Sequence, residues 1–79
     1  MRKRKKSGTG ERIAALRKEK NLTLQGLADE LGVTQTTLVR WEMGDTTNMG
    51  SKYLLGMAKL FDVSIDWILG LSDMRMRGR

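Results

Sequence analysis

The chain has 79 residues, with fifteen Lys and Arg against nine Asp and Glu, and no Cys, His or Pro. A length of this kind makes one domain at most, and it buries only about 60% of the surface its unfolded chain exposes. Without Cys there is no disulfide frame or thiol nucleophile, and without His the commonest general base and metal ligand are gone, so no catalytic site, metal or cofactor is expected.

In chain order the first feature is an arm. Residues 1–10 hold Arg2, Lys3, Arg4, Lys5 and Lys6 and no acid, and Ser7-Gly8-Thr9-Gly10 reads as a flexible polar boundary. Residues 11–70 hold seven basic and eight acidic residues, while residues 71–79 carry a net +2, so the excess positive charge lies in the tails. The expected organisation is a flexible basic arm over 1–10, a domain over 11–71 and a basic C-terminal tail over 72–79. A pI near 10.2 points to nucleic acid as a partner. The body is not basic, so the arm either supplies non-specific attraction or is a solvated tail.

No alternating apolar run marks a strand. Five short helices are predicted instead, which makes the fold class all-α. Helix 1 runs from about Glu11 to Lys20, with Ile13, Leu16 and Arg17 on one arc and Asn21 as its stop. Helix 2 opens at Thr23, an N-cap residue type, and ends at Leu31 before Gly32. Its Leu24, Leu27, Ala28 and Leu31 repeat as a buried stripe does. Helix 3 opens at Thr34 and runs to about Met43, with Gly44 as its stop. Helix 4 covers about Lys52 to Leu60, with Leu54, Met57 and Phe61 in the core and Gly56 as a local weakness. Helix 5 opens at Ser64, covers Ile65 to Leu69 and stops at Gly70.

The join between helices 2 and 3 is the informative feature. Gly32-Val33 is too short a connection for antiparallel packing, which is the shape of a helix-turn-helix. At about 100° per residue, Leu38 and Trp41 face one way on helix 3 and Gln35, Thr36, Val39 and Arg40 face the other. Amide, hydroxyl and guanidinium groups on one outward face suit base-edge reading. Gln pairs two-point with adenine, Arg with guanine, and Thr or Val touches a thymine methyl.

The stretch Gly10 to Gly70 resembles the phage repressor and Cro type of helix-turn-helix DNA-binding domain. The segments that carry the resemblance are GERIAALRKEKNLT (10–23), LADELGVTQTTLVRWE (27–42) and LLGMAKLFDVSIDWILG (54–70). The resemblance implies a compact bundle of five short helices, with helix 3 in the major groove of a double-stranded DNA operator and dimeric binding. By position it implies base contacts from Gln35, Thr36 and Arg40, and base or phosphate contacts from Thr34, Thr37 and Val39. It also implies a phosphate contact at Thr23, where helix 2 presents free amides.

Three departures from the family pattern stand out. Leu24 occupies a position where the family often has Gln, which leaves that phosphate contact to Gln25 or to none. Met43 replaces an Asn. The loop after helix 3, Asp45-Thr46-Thr47-Asn48-Met49-Gly50, is acidic where the family is often basic, so its phosphate contacts fall to backbone amides and to Thr46, Thr47 and Asn48.

Arg17 lies on the buried arc of helix 1, where a lone charge is costly. Glu42 falls beside Leu38 on helix 3, and the family pairs these two positions, so a structural Arg17–Glu42 ion pair is expected. Helix 5 is apolar around most of its circumference, and a dimer interface through Ile65, Trp67, Ile68 and Leu71 follows. The expected function is a transcriptional regulator of the repressor type, cytoplasmic in a bacterial or phage-infected cell. The alternative is an antitoxin or other protein-interaction module on the same fold. No run approaches about 18 apolar residues, so no membrane partner is expected, and nothing in the sequence points to a small-molecule ligand.

Overall fold

The structure, a computed structural model, describes residues 8–47 and 49–76. Among the described residues five helices follow in chain order: α1 Thr9–Glu19, α2 Leu24–Leu31, α3 Gln35–Glu42, α4 Ser51–Phe61 and α5 Ile65–Ile68. Among the described residues the only strand-like pairing is an isolated antiparallel bridge between Val63 and Met76.

All five helices stop in the same way. The left-handed residues of the described chain are Asn21, Gly32, Gly44, Asp62 and Gly70, one after each helix. In each case the next amide reaches back five residues to a carbonyl: Leu22 to Arg17, Val33 to Ala28, Asp45 to Arg40, Val63 to Ala58 and Leu71 to Asp66. That bond ends on a carbonyl of the last helical turn, which for Arg17, Ala28 and Ala58 also accepts from the cap amide, and it accompanies a sharp turn of the chain. Three starts are capped by side chains: Thr23 accepts from the Gly26 amide, Thr34 from the Thr37 amide and Ser64 from the Trp67 amide.

The core is built from Ile13 and Leu16 of α1, Leu27 and Ala28 of α2, Leu38 and Trp41 of α3, Met57 and Phe61 of α4, Val63, and Ile68 of α5. Leu54 is only partly buried and packs on its edge. Helix α1 begins at Thr9, two residues before the expected start, so Thr9 and Gly10 are not a flexible boundary. Gly10 is buried against the end of α3. A Cβ there would lie 2.5 Å from the Glu42 carbonyl oxygen and nearer still to that of Trp41. Only glycine lets the two helices approach this closely.

Residues 72–76, assigned to a tail by their charge, return to the domain. The Ser64 amide donates to the Arg75 carbonyl at 2.8 Å, and the Ser64 hydroxyl donates to the Met74 carbonyl at 3.1 Å. The Arg75 guanidinium pairs with Glu19 of α1 and lies 5.2 Å from the centre of the Trp67 ring. Arg75 holds the Glu19 carboxyl below its ordinary range, chiefly by hydrogen bonding.

The expected dimer residues separate here. Ile68 is 0% exposed and belongs to the core, so it is no interface residue. A four-residue helix wedged between α1 and α4 spends that side chain inward. The Trp67 ring is half-buried under the guanidinium groups of Arg12 and Arg75. Ile65 is half-buried and Leu71 is exposed.

Candidate nucleic-acid interface

Three residues, Gly32 to Thr34, separate α2 from α3, and the left-handed Gly32 makes the bend. A Cβ at Gly32 would meet nothing within 4 Å, so it is backbone conformation and not space that selects glycine there. Helix α3 is then anchored along its inner side by Leu38 and Trp41, both buried. The Trp41 ring packs on Tyr53 at 5.3 Å between centres, which ties α3 to α4.

Its last residue is fixed by charge. Arg17 Nε donates to Glu42 Oε2 at 2.7 Å, Nη2 donates to Oε1 at 3.3 Å, and Nη1 donates to the Leu22 carbonyl at 2.9 Å. The side chains are 14% and 11% exposed. One guanidinium thus holds the end of α3, the end of α1 and the start of the next turn together. With Gly10 on the same junction, α3 has little freedom to slide or rotate.

The outer side of α3 is open. Gln35, Thr36 and Arg40 are exposed and Val39 is half-buried. Gln35 and Thr36 make no side-chain hydrogen bond among the described residues. Arg40 is engaged: its Nη2 donates to Asp45 Oδ2 at 2.9 Å. Asp45 Oδ1 in turn accepts from the Thr47 hydroxyl at 2.7 Å. Those two contacts, Thr47 first and Arg40 second, hold the Asp45 carboxyl below its ordinary range. A groove of about 620 Å³ brings Thr34, Thr37, Arg40 and Asp45 together with Gly32, Val33, Trp41 and Tyr53. Arg40 therefore lies on the flank that faces the α3–α4 loop, whereas Gln35 and Thr36 face outward beyond the groove's lining.

The remaining candidates divide between capping and surface roles. The Thr23 hydroxyl caps α2 by accepting from the Gly26 amide at 2.9 Å, and its own hydrogen remains available as a donor. Gln25 Nε2 donates to Asp29 at 2.7 Å. The Thr34 and Thr37 hydroxyls bond each other at 2.9 Å. Thr46 is half-buried and Thr47 is exposed. Asn48 and the arm residues Arg2, Lys3, Arg4, Lys5 and Lys6 lie outside the described residues. Two groove residues escaped the sequence reading. Tyr53 was not legible because it lies on α4, thirteen residues beyond Arg40. Asp45 was read only as loop charge, because its meeting with Arg40 depends on the closure at Gly44.

An exposed helix face of amide, hydroxyl and guanidinium groups, braced along its inner side and at its C-terminal end, can hydrogen-bond to base edges in a groove wide enough for a helix. The α2 and α3 N-termini lie close in sequence to that face, and helix N-termini present amides to anions. The Helix-turn-helix family profile matches residues 13–68. The chain belongs to this family, in its phage repressor and Cro type. The helix-turn-helix domain is 35% identical over 63 residues to the HTH-type transcriptional regulator YobD of Bacillus subtilis, covering 80% of this chain and 55% of YobD. It is 42% identical over 65 residues to the HTH-type transcriptional activator BcrR of Enterococcus faecalis, covering 81% of this chain and 31% of BcrR. The chain spans about half the length of YobD and YqaE, two of the curated relatives it matches. Among solved structures, the domain is similar to the P22 c2 repressor protein in complex with a synthetic operator. That match has a TM-score of 0.75 at 28% identity and covers 85% of this chain and all of the other. It is also similar to the biofilm regulator SinR in complex with DNA, with a TM-score of 0.67 at 33% identity, covering 76% of this chain and 95% of the chain in that structure.

Proposed function

We propose that the chain is a sequence-specific double-stranded DNA-binding transcriptional regulator, most similar in kind to a phage or prophage repressor. The observation that carries this reading is the outer side of α3. Gln35 and Thr36 stand exposed with no partner among the described residues, on a helix whose other contacts fix its position. Exposed polar side chains that merely solvate a surface need no such bracing. The relatives and the repressor–DNA complexes support the same reading.

In this account α3 enters the major groove. Gln35 pairs with an adenine, Arg40 with a guanine, and Thr36 and Val39 meet thymine methyls or neighbouring edges. The Thr23 hydroxyl, the α2 amides and the loop residue Thr46 set the height of the helix on the phosphates, which positions without specifying, whereas the Thr47 hydroxyl is already donated to Asp45. The basic arm adds attraction that the acidic body lacks. The chain acts as a homodimer on DNA, with Ile65 and Leu71 at its interface and with Leu55, which lines one groove with Ile65, added to them. No helix among the described residues is long and apolar enough to cross a membrane, and the proposed place of action is the cytoplasm, on the nucleoid.

Selection of bound duplexes from random DNA tests this. The expected result is a two-fold symmetric consensus with half-site centres one helical turn, about 34 Å, apart. A bound pool with no consensus would overturn the reading.

A further inference from the structure

We propose that Asp45 is a specificity-determining positioning residue, which holds Arg40 in the posture that reads a base and works against its use as a loose phosphate contact. The proposal rests on the DNA-binding reading above. Its starting point is that the Arg40–Asp45 pair has no evident structural task. The two side chains are 55% and 47% exposed, and ion pairs that open to water contribute little to stability. An acidic group beside a surface meant for a polyanion also weakens attraction to phosphates, so its presence there needs another reason.

The geometry supplies one. Gly44 turns the chain at φ 110 so that the Asp45 amide donates back to the Arg40 carbonyl at 2.9 Å. This brings the Asp45 side chain alongside the guanidinium that it bonds. The carboxylate itself is not free to swing, because its second oxygen accepts from the Thr47 hydroxyl at 2.7 Å. Arg40 thus meets a fixed acceptor. A free arginine must give up its rotamer freedom on binding, whereas one already held loses less for each hydrogen bond it forms. The contact to Asp45 uses one N–H of Nη2. Of the five donors on the guanidinium, four remain, enough for a two-point contact with guanine.

The same carboxylate acts against the wrong partners. A phosphate approaching Arg40 on that flank meets the negative charge of Asp45, whereas a guanine edge carries no net charge. Selectivity gained by penalising the competitor is as effective as selectivity gained by favouring the target.

The experiment compares the parent chain with Asp45→Asn, in duplex selection and in titrations of one selected and one random duplex. Asn keeps the shape and an acceptor for Thr47 but removes the charge and, by setting an NH2 in place of Oδ2, the acceptor that holds Arg40. The expected result is tighter binding to random DNA and a selected-to-random affinity ratio lower by about tenfold. The selection profile should broaden at the base pair assigned to Arg40 and not at the positions set by Gln35 and Thr36. In an Arg40→Ala background, Asp45→Asn should broaden nothing further. Unchanged melting of Asp45→Asn would confirm that the effect is not one of folding. An unaltered profile and ratio would overturn the proposal, as would broadening that persists without Arg40. A parent chain that selects no consensus would overturn the DNA reading itself, and this inference with it.

Discussion

Arg17 shows how much one side chain contributes here. It reaches the carboxylate of Glu42 through two nitrogens and the Leu22 carbonyl through the third, so a nearly buried cation has all its main donors satisfied. A pair of this kind adds little relative to a well-packed apolar pair, but removing one member strands the other. Glu42→Ala is therefore expected to cost about 3 kcal/mol, a large part of the stability of a small domain. Denaturant unfolding measures it; a loss under about 1 kcal/mol would place the pair among exposed ones of little weight. This pair was legible in the sequence because Arg17 shares an arc with Ile13, Glu42 falls beside Leu38, and the family that the chain resembles pairs the two positions. The cover over Trp67 was not. Arg12 donates to the Trp67 carbonyl across 55 residues, at 2.7 Å, and only the folded chain brings them together. That is also why Trp67 and Ile68 read as free apolar surface in sequence and are occupied in the structure.

Helix ends were legible where a side chain or a glycine marks them. Thr23, Thr34 and Ser64 cap α2, α3 and α5 through their hydroxyls, and their starts stand out in the sequence. Helices α1 and α4 open at Gly8 and Gly50 with no side-chain cap, and there the expected starts fall late, at Glu11 and Lys52. Asp62 ends α4 in the left-handed region, a conformation that Asp adopts at some cost and that composition does not announce. Two glycines give a paired prediction. Gly10→Ala forces a methyl into the backbone carbonyls of α3 and should destabilise by about 1–3 kcal/mol, since backbone cannot rotate away as a side chain can. Gly56→Ala places a methyl 3.7 Å from the Leu31 side chain, an ordinary contact, and should stabilise by up to about 1 kcal/mol through helix propensity. Thermal melts of the two variants check both signs. A Gly10→Ala protein as stable as its parent would show that α1 and α3 are not so tightly apposed.

At the scale of the molecule, affinity and specificity are assigned to different parts of the chain. The body is slightly acidic and supplies little general attraction, whereas residues 2–6 are five consecutive cations. Each phosphate neutralised adds about −0.9 to the slope of log affinity against log salt, so removing residues 1–7 should flatten that slope by roughly 3 to 4 per subunit. The base preference should survive, because phosphate contacts carry no sequence information. Parallel salt slopes for the intact and trimmed chains would mean that the arm has no part in binding. The central claim, that the outer face of α3 reads bases, is tested most directly at Gln35, which is exposed and unpartnered among the described residues. The measurement is the affinity of Gln35→Ala relative to its parent on the selected duplex and on a random one. The account predicts a loss of about 1–3 kcal/mol on the selected duplex and almost none on the random one. Equal losses on both would contradict it.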